Sequence, residues 1–157
     1  MNEQKLQWLW DRGEIIDVVN TVARAADFRD WAGCREVFAD TVEVDYTSLA
    51  GGKPETMSAN TLMERWQSAL GKLDTTQHLL SNHAITVDDD FAFCVCEFQA
   101  THVLAGAAGG DLWTLGGVYN HTLMRTTHGW KVTKIKMTAK WNSGNKEILT
   151  EGVKKAT

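Results

Sequence analysis

From Thr75 to Trp141 the chain is an almost unbroken series of alternating apolar and polar positions, interrupted only by short turn signals. No other feature restricts the fold as much. Period-two alternation sends successive side chains to opposite faces of a strand, and short breaks rich in glycine or aspartate join neighbouring strands as hairpins. Asp88-Asp89-Asp90, the stretch from Gly106 to Asp111, and Thr127-His128-Gly129 are such breaks. They divide the segment into four strands, 75–87, 91–104, 112–126 and 130–141. In 91–104, Cys94, Cys96, Phe98 and His102 share one face. In 112–126, Leu112, Thr114, Val118, Asn120 and Met124 alternate with Trp113, Leu115, Tyr119, His121 and Leu123. In the last strand Ile135, Met137, Ala139 and Trp141 lie opposite Lys134 and Lys136.

A sheet of this kind needs a cover, and the first half of the chain supplies it. Between Glu3 and Phe28 the apolar positions Leu6, Leu9, Ile15, Val19, Val22 and Ala26 recur at helical spacing. Gly13 weakens the middle by about 1 kcal/mol relative to alanine, which predicts a break there into a short and a longer helix. Asp30 caps a helix over 31–39, and residues 41–46 alternate as a strand. Ala50 to Pro54 holds the single proline and breaks the chain. No lysine-serine or lysine-threonine pair follows its glycines, so it is no phosphate loop. Ser58 caps a further helix with Leu62, Trp66, Ala69 and Leu70 inward, ending at Gly71. The order predicts an α+β fold in which N-terminal and central helices pack on one face of a curved antiparallel sheet. Residues 1–141 form one domain. The polar tail 142–157, with Ile148, Leu149 and Val153 as anchors, is either a flap over a cavity mouth or a frayed terminus.

Charge and composition exclude several classes. With 157 residues and a formal net charge of −4, the chain lacks the basic stripe of a nucleic-acid-binding surface. It has no apolar run of about 18 residues that would cross a membrane, and no basic segment followed by an apolar signal core. Three cysteines, an odd number, make no disulfide framework; Cys94 and Cys96 read as small apolar packing groups in a reducing compartment. The expected location is the cytoplasm. Seven tryptophans and 43% hydrophobic residues imply a large apolar interior or apolar surface that must be covered. The strand face with Trp113, Leu115, Tyr119 and Leu123 is expected to be that surface, and to make the protein a homo-oligomer.

Three polar side chains fall on otherwise apolar strand faces: His78, His102 and Asn120. A histidine on a strand is a general base with fixed aim or a core group satisfied by a hydrogen bond. Tyr46, closing the apolar row of Val42 and Val44, is core or projects its hydroxyl into a cavity. Asp27 sits at a helix C-terminus, where a carboxylate opposes the dipole. Histidine spacing does not favour a metal: His78 and His83 differ by an odd step and face opposite sides unless a bulge intervenes, and no H-E-x-x-H or C-x-x-C pattern occurs. His83, His121 and His128 read as structural or surface groups.

The pieces Asp27-Phe28-Arg29-Asp30-Trp31, Val42 to Ser48, Thr76-Gln77-His78, His102, Gly117-Val118-Tyr119-Asn120 and Gly129-Trp130-Lys131 resemble a SnoaL-like member of the nuclear transport factor 2-like superfamily, most of all scytalone dehydratase. The hexachlorocyclohexane dehydrochlorinases are similar too. The resemblance spans nearly the whole chain and implies a cone-shaped barrel enclosing a cavity, a trimer, and a lyase of dehydratase type that acts without cofactor on a small cyclic carbonyl compound. It implies an aspartate–histidine dyad at Asp27 and His78, and substrate contacts at Tyr46, His102 and Asn120. An isomerase or cyclase using the same base, or a protein that only binds a small hydrophobic or aromatic molecule, are the other readings. In the dehydratase a second tyrosine precedes the aspartate, whereas this chain has Ala26; the dehydrochlorinases use an arginine on the last strand, where this chain has lysines.

Overall fold

The computed structural model describes residues 2–150. Helix α1 (Glu3–Phe28) is capped by Asn2, whose side chain accepts from Lys5 N. It passes Gly13 without a break, contrary to the expected interruption. A Cβ at Gly13 would meet nothing within 4 Å, so the glycine costs only its entropy. The face carrying Ile15, Val19 and Val22, packed in the core, holds the helix together over that cost. Near its start, Asp11 is 2% exposed and accepts from Arg125 at 2.6 and 3.0 Å and from Trp130 Nε1 at 3.1 Å. That contact fixes the N-terminal half of α1 to the sheet.

Helix α2 (Trp31–Glu36) is capped by Asp30 as expected, its side chain accepting from Gly33 N, but it is shorter than the predicted 31–39 because β1 (Phe38–Asp45) has already begun. A short helix α3 (Thr47–Ala50) and a short strand β2 (Glu55–Ser58) flank the proline loop; neither has the length to show in a periodicity. Helix α4 (Ala59–Leu70) starts at the Ser58 cap and ends at Gly71. Then come β3 (Thr75–Asp88), β4 (Phe91–Val103), β5 (Leu112–Thr126) and β6 (Gly129–Gly144).

The six strands form one sheet in the order β2-β1-β6-β5-β4-β3. It is curved and cone-like, with β2 and β3 as free edges rather than a closed barrel. It is also mixed: β1 runs parallel to β6, while every other pair is antiparallel. The long connection through α3, β2, α4 and three further strands makes a parallel pair possible, since no hairpin links the two. Helices α1 and α4 cover the inner face, where Ile15, Val19, Leu62, Cys94, Leu123 and Ile135 form one core cluster. Leu73, Phe98, Leu104, Trp113, Leu115 and Ile148 form another towards the opposite end.

The covered face is the one expected to be bare. Trp113, Leu115 and Leu123 are 1%, 3% and 0% exposed. The outer face carries Phe91, Phe93, Val95 and Leu112, each between 39% and 53% exposed. Bulges explain two further departures. Asn82 adopts a left-handed φ of 54° where the β3–β4 register shifts between Ser81 and Ala84. Beyond that shift His83 lies on the same side as His78, while Asn82 turns outward. On β6 the register slips between Gly116 and Gly117, leaving Lys140 unpaired. Trp141 therefore leaves the face of Ile135 and Met137 and lies over Gly116, where a Cβ would collide with its indole.

The tail folds back as far as it is described. Asn145 Nδ2 donates to the carbonyls of Ala108 and Gly110 at 2.9 Å each, Ile148 is fully buried, and Leu149 reaches the cavity wall. A helical turn closes the described tail, with bonds from Leu149 N to Lys146 O and from Thr150 N to Glu147 O. Val153 and the rest of the proposed flap lie outside the described residues.

Candidate active site

Helices α1 and α4 and the inner sheet face enclose a cavity of about 380 Å³, at the lower end of the usual range for a small-molecule site. Most of its wall is apolar, with Val22, Ala26, Leu62, Trp66, Leu80 and Met137 among the lining residues. Its polar members are Thr47 and the exposed Lys53, Glu55 and Arg65, together with the five rings His78, His102, His121, Tyr46 and Tyr119.

Asp27 and His78 are brought together from 51 residues apart. His78 Nδ1 lies 2.7 Å from Asp27 Oδ1, and the His78 backbone N–H donates to Asp27 Oδ2 at 2.7 Å. Thr76 Oγ1 is 2.8 Å from Asp27 Oδ1 and also receives Arg29 Nη1 at 2.8 Å. Because the guanidinium can only donate, the threonine hydroxyl must accept from it and give its own proton to Asp27. Burial raises the pKa of Asp27, but the His78 ring, the His78 amide and Thr76 together outweigh it and leave the pKa below 3.8. The carboxylate is thus ionised near neutral pH. An ionised partner at 2.7 Å places a proton on Nδ1, so the neutral tautomer of the pair carries its lone pair on Nε2.

The sequence signal for this arrangement was the acid at a helix C-terminus; its physical answer is Arg29. That residue ends α1 in the left-handed region, φ 60°, at a cost of about 1 kcal/mol for a non-glycine residue. Its Nη1 donates to the carbonyls of Ala26 at 2.8 Å and Asp27 at 3.3 Å, besides Thr76. It supplies positive charge where the dipole calls for it and locks the threonine that holds Asp27. Neither Arg29 nor Thr76 stood out by pattern, since their roles depend on a contact across 47 residues.

His102 meets His78 edge to face, with ring centroids 5.8 Å apart, and stacks obliquely on Trp113 at 4.9 Å. Burial pushes its pKa down to about 4, with His78 adding to the depression. Its Nδ1 lies 3.3 Å from the Trp113 carbonyl, which can only accept. The ring is therefore neutral with Nδ1 protonated, and Nε2 offers an acceptor rather than a donor. An acceptor nitrogen of this kind suits a substrate hydroxyl rather than a carbonyl oxygen. Tyr46, just past the end of β1, does line the cavity, and its hydroxyl forms no hydrogen bond among the described residues.

Asn120 does not join them. It pairs with Val95 and Lys136, on the outer face, and is absent from the cavity wall. The pairing of His102 with Trp113 is the reason. Because β4 and β5 meet in that register, odd-numbered residues of β5 share the face of even-numbered residues of β4. Tyr119 and His121 go in, and Asn120 goes out. The signal that could have found the inner pair is the row of large apolar groups Trp113, Leu115 and Leu123 on the same parity. Among the described residues, no three His, Cys, Asp or Glu side chains converge to hold a metal ion, and no helix is long and apolar enough to cross a membrane.

A helix-covered, cone-like sheet thus encloses a cavity that has the Asp27–His78 pair at its wall. Residues 7–136 match the model of the SnoaL-like domain, and the chain belongs to that family. Among solved structures, a protein from Kribbella flavida is similar over 90% of this chain and 97% of its own, at 28% identity and a TM-score of 0.83. A hexachlorocyclohexane dehydrochlorinase (LinA, type 2) shares 17% identity over 90% of this chain and 93% of its own, TM-score 0.76. A candidate scytalone dehydratase from Novosphingobium aromaticivorans shares 17% over 87% and 89%, TM-score 0.74. At these last two identities the likeness is one of fold. No curated protein matches the sequence.

Proposed function

We propose that the protein is a cofactor-independent lyase that carries out a dehydratase-type elimination on a small cyclic carbonyl-bearing substrate, with His78 as base. The observation that carries this reading is the Asp27–His78 pair: an ionised carboxylate with three hydrogen bonds holds an imidazole lone pair at the wall of an apolar cavity. In such an elimination His78 Nε2 takes the proton from the carbon beside the carbonyl, and Asp27 stabilises the imidazolium formed. The imidazolium then returns a proton to the departing hydroxyl, which leaves as water. The hydroxyls of Tyr46 and Tyr119, without a hydrogen-bond partner among the described residues, are donors available to a carbonyl oxygen as charge develops on it. Membership of the SnoaL-like family and the fold shared with a dehydrochlorinase and a candidate dehydratase agree with this chemistry.

The same base serves an isomerase or cyclase. That second reading has its own support, since His102 has committed its proton to Trp113 and His78 would be left to handle both proton transfers. Incorporation of deuterium from heavy water into a bicyclic ketone such as 2-tetralone, followed by NMR, tests for the base. Exchange by the wild type that falls at least ~100-fold in His78→Ala supports it; equal exchange in both leaves only a binding protein. With a substrate that carries a β-hydroxyl, release of water separates lyase from isomerase. The outer sheet face, with Phe91, Phe93 and Val95 exposed, is the surface through which we expect the chain to assemble, as a trimer.

A further inference from the structure

The dyad occupies one end of the cavity. The other end holds polar groups that neither packing nor proton transfer explains. His121 is 2% exposed, forms part of the cavity wall, and its Nδ1 has no hydrogen-bond partner among the described residues. An unbonded buried nitrogen costs about 1–3 kcal/mol, and leucine or valine would fill a strand's inner face without that cost. Burial lowers the His121 pKa to about 4 against a hydrogen bond to the Cys94 backbone, so near neutral pH the ring is uncharged and Nδ1 is the nitrogen left without a partner. Beside it stands Tyr119, with ring centroids 5.7 Å apart, stacked on Phe98 at 4.1 Å. Its hydroxyl also lacks a partner among the described residues.

Helix α1 measures how far this group lies from the dyad. Asp27 binds His78 near the helix C-terminus. One stretch earlier, Asn20 Oδ1 lies 3.1 Å from His83 Nε2, and His83 is close enough to His121 to help depress its pKa. From Asn20 to Asp27 the helix advances roughly 10 Å at 1.5 Å per residue. The wall between the two levels is apolar, with Val22, Ala23, Leu80 and Met137. We propose that His121 and Tyr119 form a second, uncharged hydrogen-bonding subsite, which takes the far hydroxyl oxygen of an elongated, largely apolar ligand whose near end is held at His78. The claim about the near end rests on the lyase reading; the far-end contact is a claim about binding alone. The substituent must be neutral, since a buried charge without a counter-ion would be strongly disfavoured.

The test uses naphthalene and 2-naphthol as probes, read by quenching of the cavity tryptophans Trp66 and Trp113. It is made in a His78→Ala background, so that the near end contributes no imidazole. There 2-naphthol should bind about 10-fold more tightly than naphthalene, the worth of one net hydrogen bond. Adding His121→Leu should bring that ratio to about 1 while naphthalene affinity holds, which also shows that the cavity is intact. Adding His121→Asn, which keeps a donor and an acceptor, should retain a ratio of several-fold. A hydroxyl preference that survives His121→Leu, or none at all in His78→Ala alone, overturns the proposal. Failure of the lyase reading appears elsewhere, as wild-type protein that exchanges no proton into the ketone while the hydroxyl preference persists.

Discussion

Acid should unfold this protein in a window that the buried histidines define. His102 and His121 are 4% and 2% exposed, and burial depresses both from 6.5 to about 4. As pH falls, the unfolded chain takes up a proton at each site near 6.5, whereas the folded chain does so only near 4. The unfolded state therefore binds more protons between those values, and stability is whole above pH 6.5 and is lost as pH falls towards 4. A shift of 2.5, the difference between 6.5 and 4, corresponds to about 3 kcal/mol per histidine at 1.36 kcal/mol per unit. Two such groups approach the whole stability of an ordinary domain, roughly 5–15 kcal/mol. His83 shifts the same way through burial and adds to the effect. The depressed carboxylates Asp11, Asp27 and Asp45 act lower: their contributions are present above 3.8 and vanish as pH falls through their folded values. The range from pH 6.5 to 4.5 thus isolates the histidines. Urea titrations across it, at fixed protein concentration, should show a slope approaching about 2.7 kcal/mol per pH unit, two protons' worth. His121→Leu should remove about half of that slope. A wild-type stability that stays flat from pH 6.5 to 4.5 would refute the placement of these rings as buried neutral groups.

His78→Ala should lower turnover at least ~100-fold with the melting temperature nearly kept; Asp27→Asn should cost as much or less, and the double variant no more than the larger single loss, because both residues serve one step. Thr76→Val removes a hydrogen bond to a carboxylate and strips Arg29 Nη1 of its Thr76 partner, so turnover should fall by about 10-fold or more, from the ~1.5–3 kcal/mol of a charged hydrogen bond, with substrate affinity much less affected. Phe93→Arg on the exposed outer face should reduce the mass seen by light scattering to that of one chain; an unchanged mass would place assembly elsewhere. Deleting residues 143–157 should lower ligand affinity, and should also cost stability, since Ile148 is fully buried; truncated protein with unchanged binding and melting would dismiss the tail as a cover.

What could be read directly from the sequence was local. The period-two pattern from Thr75 onward made four strands inevitable. Asp30, Ser58 and Gly71 marked helix ends by their own side-chain or backbone chemistry, and the acid at the end of α1 announced a partner. Asp27, His78, Tyr46 and His102 were legible as candidates because each stood out from its immediate neighbours or matched the family's motif. Which face each strand turns inward was not local. Side chains alternate with a period of two, so the pairing register between β4 and β5 decides the side of every residue at once. With His102 opposite Trp113, Tyr119 and His121 line the cavity and Asn120 faces out. One unpaired residue does the same on a smaller scale: the shift at Asn82 carries His83 to the dyad's face, and the one at Lys140 takes Trp141 away from the core. The parallel pairing of β1 with β6 and the bond from Arg29 to Thr76 depend likewise on contacts between distant segments. Such contacts form only when the sheet is assembled, and so the sequence names the residues able to do chemistry while the register decides which of them meet.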